Sequence, residues 1–331
     1  MFQKAQTDTS RTGFADKGAQ NAEGACAVRL ENVTKVFTQW QRDNTGSGML
    51  RNLIKPEKRV VTALNNVSFT VGKGEFVAYA GPNGAGKSTT LKLLSGMLTP
   101  SSGEISVLSA SPQKQRRAIM RYLGVLFGNR SELWWDHPVI QSFEWKKVVW
   151  DIPEKLYRRN LDMVTELLGI GGLLKTFARE LSLGQRMRAD LAMLLLHSPT
   201  LILLDEPTLG LDVAAKRQMI GFLKQLNEQE ETTIIVTSHD MDDLEEMARR
   251  ILLISNGKIA FDGGFEALRD ELGCTKRAIV DFSDGARREI SYNDTGALLR
   301  ELSGLDGIAE VSFTQTSLEE GLANLYARWM N

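Results

Sequence analysis

The chain has 331 residues, enough at about 150 per domain for roughly two domains, and its 42% hydrophobic and 24% charged residues are the balance of an ordinary globular protein. Lys and Arg number 40 against 41 Asp and Glu, a net charge of -1 that removes any global electrostatic case for nucleic acid. A mean hydropathy of -0.20 and an apolar stretch, Leu191 to Leu204, broken by His197, Ser198, Pro199 and Thr200 argue against a membrane span, and two distant cysteines, Cys26 and Cys274, argue against a disulfide framework or a structural zinc.

Residues 1–27 are polar, rich in Gln, Thr, Ala and Gly, with neither a hydrophobic period nor the apolar core of a secretion signal, and are expected to be a disordered tail. Ala27 to Val36 alternates as a strand. Residues 41–60 then interrupt with Gly, Ser, Asn and Pro, and are expected to be an exposed loop insertion. Arg42, Arg51, Lys55, Lys58 and Arg59 face only Asp43 and Glu57 there, a local basic bias that suits a solvated loop or contact with a partner. The strand pattern resumes at Val60 and again in FVAYA, before a helix predicted from Gly86 to about Met97. The stretch 113–197 reads as mostly helical, with segments Arg116–Arg121, Ile140–Val149 and Glu154–Leu168. LILLDEP and TTIIVTSH are continuous apolar runs of the kind that form buried parallel strands. Helices are predicted at Val213–Gln229 and Leu244–Arg249, and RILLISNGKIAFDG reads as a hairpin turning at Asn256-Gly257. Strands alternating with helices predict an α/β fold around a parallel sheet. After about 272 the pattern becomes strand, strand, helix 295–303, strand and helix 317–329, expected to be a small α+β appendage over 272–331.

Gly81-Pro82-Asn83-Gly84-Ala85-Gly86-Lys87-Ser88-Thr89 satisfies G-x-x-x-x-G-K-[ST] and sits between an apolar strand and a helix, the context in which that loop cradles phosphates. Its glycines let backbone N–H groups turn onto phosphate oxygens, and the following helix adds the positive end of its dipole. Lys87 is positioned for the β- and γ-phosphates and Ser88 for Mg²⁺. At 201–206 a buried strand ends in Asp205, suited to the metal's surroundings, and Glu206, suited to polarising an attacking water.

Leu181-Ser182-Leu183-Gly184-Gln185, Leu209-Gly210-Leu211-Asp212 and Thr237-Ser238-His239 follow in an order that resembles the ATP-binding cassette (ABC) ATPases over roughly residues 28–271. Leu183 departs from the family's signature, where a glycine stands. The resemblance implies an α/β P-loop NTPase core of the ABC type, a helical subdomain at about 129–195, and ATP and Mg²⁺ as cofactors. It further implies a head-to-tail homodimer or heterodimer in which Ser182, Gly184 and Gln185 of one chain close over ATP held by another. Asp212 is implied to cross that interface, although its position also suits a helix cap, as Ser182 suits an N-cap. His239 corresponds to the family's switch histidine, contacting the γ-phosphate. Phe37 matches the aromatic that stacks on adenine, with Trp40 as the other candidate. Asn129 stands where the family has a glutamine that binds Mg²⁺, and it equally suits a turn cap. Trp134-Trp135 suits either a core anchor or the groove that receives a permease. The implied partner is an integral membrane permease encoded separately, with this chain peripheral on the cytoplasmic face of the inner membrane. GVLFGNRSELWWD and LSLGQRMR resemble a subgroup of multidrug-type exporters, so export is the expected direction. A soluble ABC ATPase and an importer ATPase are the rival expectations.

Overall fold

The computed structural model of the chain describes residues 26–41, 57–127, 131–273, 276–292, 294–315, 317–322 and 325. Two long strands, β1 (Cys26–Gln41) and β2 (Glu57–Gly72), pair antiparallel, and β1 also pairs with β4 (Ser102–Val107) to complete a three-stranded sheet. Of the tail expected over 1–27, residues 1–25 lie outside the described residues, while Cys26 pairs with Gly72 and Ala27 is buried. The insertion also narrows: Gln41 pairs with Glu57, so both ends of the 41–60 stretch belong to a strand ladder. Residues 42–56 lie outside the described residues.

The second sheet carries the site. Its strands are β3 (Phe76–Ala80), β5 (Leu123–Phe127), β6 (Leu201–Asp205), β7 (Thr233–Thr237), β8 (Arg250–Ser255) and β9 (Lys258–Gly264), in the spatial order β5-β6-β7-β3-β8-β9. All neighbours are parallel except β8 and β9, whose hairpin turns through Asn256 and Gly257 at φ 47 and 72°. The apolar runs alternate faces at the strand period of two. Ala78, Leu204, Val236 and Leu253 join one core, while Val77, Leu203, Ile235 and Leu252 join another, shared with the three-stranded sheet. The first core also takes the inner faces of α3 (Val139–Val149), α4 (Glu154–Leu167), α5 (Leu183–Leu195) and α6 (Val213–Glu230). The shorter α1 (Lys87–Leu94) and α2 (Arg116–Met120) complete the helices before α3.

Three sequence expectations change. The stretch expected to be mostly helical contains strand β5 after α2, a run of five residues too short for periodicity to separate from helix. The helix expected at 244–249 is α7 (Met241–Met247), displaced because the Asp240 side chain caps it by accepting from Asp243 N. The third concerns the end of the chain. After α8 (Phe265–Leu272), strands β10 (Lys276–Phe282), β11 (Arg287–Tyr292) and β12 (Ile308–Gln315) form an antiparallel sheet, packed with α9 (Thr295–Ser303) around Ala278, Val280, Ile290 and Leu298. Residues 318–322 are helical again, and Leu318 and Leu322 are buried in the main core beside the sheet's helices rather than in the small one. The expected α+β stretch thus has its own small core, while its last described helix packs into the larger one.

Candidate nucleotide site

Strand β3 delivers the chain into the Gly81–Thr89 loop. A Cβ at Gly81 would collide with the carbonyl oxygen of Ile254, and one at Gly86 (φ 118°) would lie 2.7 Å from the Ala63 oxygen and 2.6 Å from Leu64 Cδ2. Only glycine fits at both points, which lets the loop fold tightly against β8 and β2. The loop is closed by Ala85 N donating to Pro82 O at 3.1 Å, and the buried Tyr79 hydroxyl meets Thr90 Oγ1 at 3.0 Å, fixing β3 to α1. Gly86 caps α1 and has no side-chain acceptor to offer the first-turn amides, which suits them to an anion.

The Lys87 ammonium is almost buried and donates to Gly81 O at 2.6 Å and Pro82 O at 3.4 Å. Burial pulls its pKa below the ordinary lysine value, while the carboxylates of Glu206 and Asp205 push it back up. Across the cleft, β6 and β7 are in register so that Asp205 lies opposite Thr237. Thr237 Oγ1 donates to Asp205 Oδ1 at 2.7 Å. Glu206 N donates to Thr237 O at 3.0 Å and Thr237 Oγ1 at 3.1 Å. Those two bonds hold Glu206 at φ 57°, a left-handed conformation that costs a non-glycine residue about 1–3 kcal/mol. So held, Glu206 Oε2 meets His239 Nδ1 at 2.7 Å. An ionised carboxylate only accepts, so this bond places a hydrogen on Nδ1 and leaves Nε2 for another partner.

Lys87, Asp205, Glu206 and His239 line one cleft of 610 Å³, together with Lys92, Met97, Phe127 and Leu209. It gathers Pro82, Asn83, Gly84, Gly86, Lys87, Ser88, Thr89, Asp205, Glu206 and His239. Ala85 is buried beneath the loop and Gly81 forms its hinge. Thr237, which fixes both acids, is named in the sequence only as the first residue of Thr237-Ser238-His239, where the role falls to His239; its own part depends on the pairing of β6 with β7.

The remaining candidates lie elsewhere. Ser182 caps α5: its Oγ accepts from Gln185 N at 3.2 Å, and Gln185 Oε1 accepts from Ser182 N at 2.9 Å. The Gln185 carbonyl oxygen is thereby committed within its own chain. Asp212 caps α6, accepting from Ala215 N at 2.8 Å, and Gly184 packs beside Ala215 and Leu211. Leu183 is 48% exposed and lies so close to Gly210 that a Cβ there would sit 2.7 Å from Leu183 Cδ2. Phe37 is half-buried on β1 with the Lys35 ammonium 5.0 Å from its ring centre, and it does not line the cleft. Asn129 lies outside the described residues, as does the side chain of Trp40. Trp134 and Trp135 are 39% and 53% exposed, which removes the core-anchor alternative.

The cleft fits a magnesium–nucleotide complex. Its glycine cradle and lysine suit phosphate, and Ser88 and Asp205 are hard oxygen donors. Among the described residues no three acidic, His or Cys side chains cluster to hold a metal. Mg²⁺ is usually held by one or two carboxylates plus substrate phosphates, and Asp205 is such a carboxylate.

A model of the family described as ABC transporter matches residues 64–209. The chain is 30% identical over 212 residues to the ABC transporter ATP-binding protein NatA of Bacillus subtilis, covering 64% of this chain and 86% of that protein. It is 31% identical to the energy-coupling factor transporter ATP-binding protein EcfA of Methanoculleus marisnigri, covering 62% and 75%. It is 29% identical to the methionine import ATP-binding protein MetN of Carboxydothermus hydrogenoformans, covering 63% of each. Among solved structures, cbiO1 from Clostridium perfringens superposes with a TM-score of 0.60 at 25% identity, covering 75% of this chain and 92% of that one. The dimeric cassette MJ0796 bound to ADP and Pi shares the fold with a TM-score of 0.61 at 24% identity, covering 72% and 98%. The phosphate cradle, the paired acids and these likenesses together establish that the chain belongs to the ABC transporter family, as an ATP-binding and ATP-hydrolysing subunit that works with Mg²⁺.

Proposed function

We propose that this ATPase drives a separate integral membrane permease, exporting a small molecule, drug, lipid or polysaccharide, from a peripheral position on the cytoplasmic face of the inner membrane. The observation that carries the ATPase chemistry is the convergence of Lys87, Asp205, Glu206 and His239 on one cleft. Among the described residues no helix is long and apolar enough to cross a membrane, and in this reading the permease supplies the transport path. A relative named as a methionine import protein shares the cassette, and the export direction rests on the GVLFGNRSELWWD and LSLGQRMR segments alone.

In this reading water attacks the γ-phosphorus of ATP in line with the bond that breaks toward ADP, and its proton passes to Glu206. The bond from His239 Nδ1 fixes the Glu206 carboxylate, and Nε2 is left to meet the γ-phosphate. Lys87 exchanges its contacts with Gly81 and Pro82 for β- and γ-oxygens. Ser88, Asp205 and Asn129 would hold Mg²⁺, which would supply positive charge to the phosphates. Ser182 and Gly184 act on the ATP of a second cassette, Asp212 reaches across the same interface, and Phe37 stacks on adenine beyond the phosphate cleft. The exposed Trp134-Trp135 pair is the docking point for the permease, since buried aromatic anchors dominate protein interfaces.

Glu206→Gln tests the chemistry. It keeps size and hydrogen bonding but accepts no proton, so ATP binding persists, turnover falls at least ~100-fold and an ATP-bound dimer accumulates on size-exclusion chromatography. Near-normal turnover would remove Glu206 from its role. Stimulation of the wild-type rate by a permease in vesicles, with substrate moving outward, tests the transport direction.

A further inference from the structure

One buried carboxylate has no part in the chemistry above. Asp190 lies on α5, eight residues after Ser182, and is only 7% exposed. Its Oδ1 accepts from Ser131 Oγ at 2.9 Å and from Glu132 N at 3.0 Å. A helix position facing a core is ordinarily apolar, and an ionised carboxylate there is costly unless something is gained from its hydrogen bonds. Burial pushes its pKa up to about 6. The Ser131 and Glu132 hydrogen bonds oppose that, the Glu132 carboxylate adds to it, and the Arg186 charge subtracts.

The segment that Asp190 grips is held from several sides. Ser131 Oγ accepts from Leu133 N at 3.1 Å, turning the chain back on itself. Trp134 N donates to the buried Ser142 Oγ of α3 at 2.9 Å, and Lys146 of α3 reaches Glu132 at 3.0 Å. One turn before Asp190, the Arg186 guanidinium lies 4.5 Å above the ring centre of Trp135. Residues 186 and 190 share one face of α5 and hold the segment at its two ends. Four residues before Ser131, Phe127 ends β5 as part of the cleft wall. At the other end of α5 is the Ser182 turn.

We propose that Asp190 is a positioning residue that locks segment 131–135 to α5. The wall of the nucleotide cleft, the Ser182 turn and the exposed Trp134-Trp135 pair then move as one body. The proposal rests on the reading that ATP occupies this cleft and that Ser182 serves a second cassette. Loss of the lock leaves the phosphate-binding residues in place but lets α5 and the cleft wall move independently. Binding is retained and the catalytically competent closure is lost. Coupling residues of this kind change a measured equilibrium by a few-fold to about 30-fold.

The experiment uses the full chain with MgATP as probe. Steady-state ATPase gives kcat and KM, and the tryptophan fluorescence change on adding MgATP reports on segment 131–135; the latter is measured in a Glu206→Gln background. Asp190→Ala is expected to lower kcat about tenfold with KM within about twofold and to abolish the fluorescence change. Ser131→Ala should lower kcat less and add nothing when combined with Asp190→Ala, as expected of two residues acting through one contact. Asp190→Asn, whose amide oxygen still accepts both bonds, should recover at least half of the wild-type kcat. A folded Asp190→Ala with wild-type kcat and fluorescence response, or effects of Ser131 and Asp190 that simply multiply, overturns the proposal. Should Asp190→Ala not fold, Ser131→Ala decides alone: an unchanged kcat and response overturns it. The Glu206→Gln control separates the two levels, because full turnover in that variant refutes the site reading whatever Asp190 does.

Discussion

Replacing Asp190 with Asn should make stability depend on pH differently, and the size of the effect follows from the carboxylate's surroundings. Burial holds the folded-state pKa at about 6 against an ordinary 3.8. Because the folded pKa is raised, the folded protein binds the proton more tightly than the unfolded chain. The favourable contribution is therefore complete below pH 3.8 and is lost as pH rises through 6. The span is about two pH units, and at about 1.4 kcal/mol each the full penalty reaches about 3 kcal/mol. By pH 5 roughly half has already been incurred, so about 1.4 kcal/mol separates pH 5 from pH 8. Asn carries no charge and escapes this term. Its amide hydrogens, if left without partners, add a cost of about 1–3 kcal/mol, but that cost does not vary with pH. The diagnostic quantity is thus the change in ΔΔG between pH 5 and pH 8, measured by urea unfolding of wild type and Asp190→Asn in parallel. The variant should gain about 1.4 kcal/mol on the wild type over that interval. Parallel stability curves, or a variant that loses ground as pH rises, would refute the reasoning.

Other expectations bear on the site. Mixing a Ser182→Arg chain with a Lys87→Ala chain should restore hydrolysis that neither shows alone, since one intact composite site forms per heterodimer; a verified heterodimer with no activity counts against the head-to-tail arrangement. Thr237→Val removes the hydroxyl shared by Asp205 and the Glu206 amide at nearly constant volume, so kcat should fall roughly tenfold with ATP affinity little changed, at a stability cost of about 1–3 kcal/mol by thermal melt. Wild-type kcat in that variant would remove the threonine from the positioning of both acids. Asn129→Ala should raise the Mg²⁺ concentration needed for half-maximal hydrolysis and weaken permease stimulation, while Asn129→Gln retains activity; an unchanged Mg²⁺ dependence makes Asn129 a turn residue.

The parts of the site legible in the sequence are those in which function and local backbone coincide. Gly81 to Thr89 is contiguous, and its glycines are required by contacts that the strand–loop–helix context already implies. Asp205 and Glu206 end an apolar run, and His239 follows another. What was not legible depends on register and long-range packing. Thr237 serves both acids only because β6 and β7 pair with Asp205 opposite it, and nothing within TTIIVTS specifies that alignment. Strand β5 is a short apolar run flanked by helices, and only its place beside β6 makes it a strand. Asp190 reads as one more polar residue on a helix until the segment at 131–132 is folded against it. Leu318 and Leu322 give no sign of which core they enter, since an amphipathic helix fits either.

The return of those two leucines alters what the end of the chain can do. The polypeptide leaves the main core after α8, where Phe265 and Leu268 are buried, builds a three-stranded sheet with its own centre, and re-enters the main core at Leu318 and Leu322. The small sheet is a detour moored at two points, and a load placed on it has a path back into the ATPase body that a dangling tail would lack. Cutting the chain after residue 272 would also strip two buried leucines from the larger core, each contributing about 1.5–3 kcal/mol, and leave their apolar sockets open to water. A shortened protein of that kind would report on damage to the engine as much as on loss of the sheet.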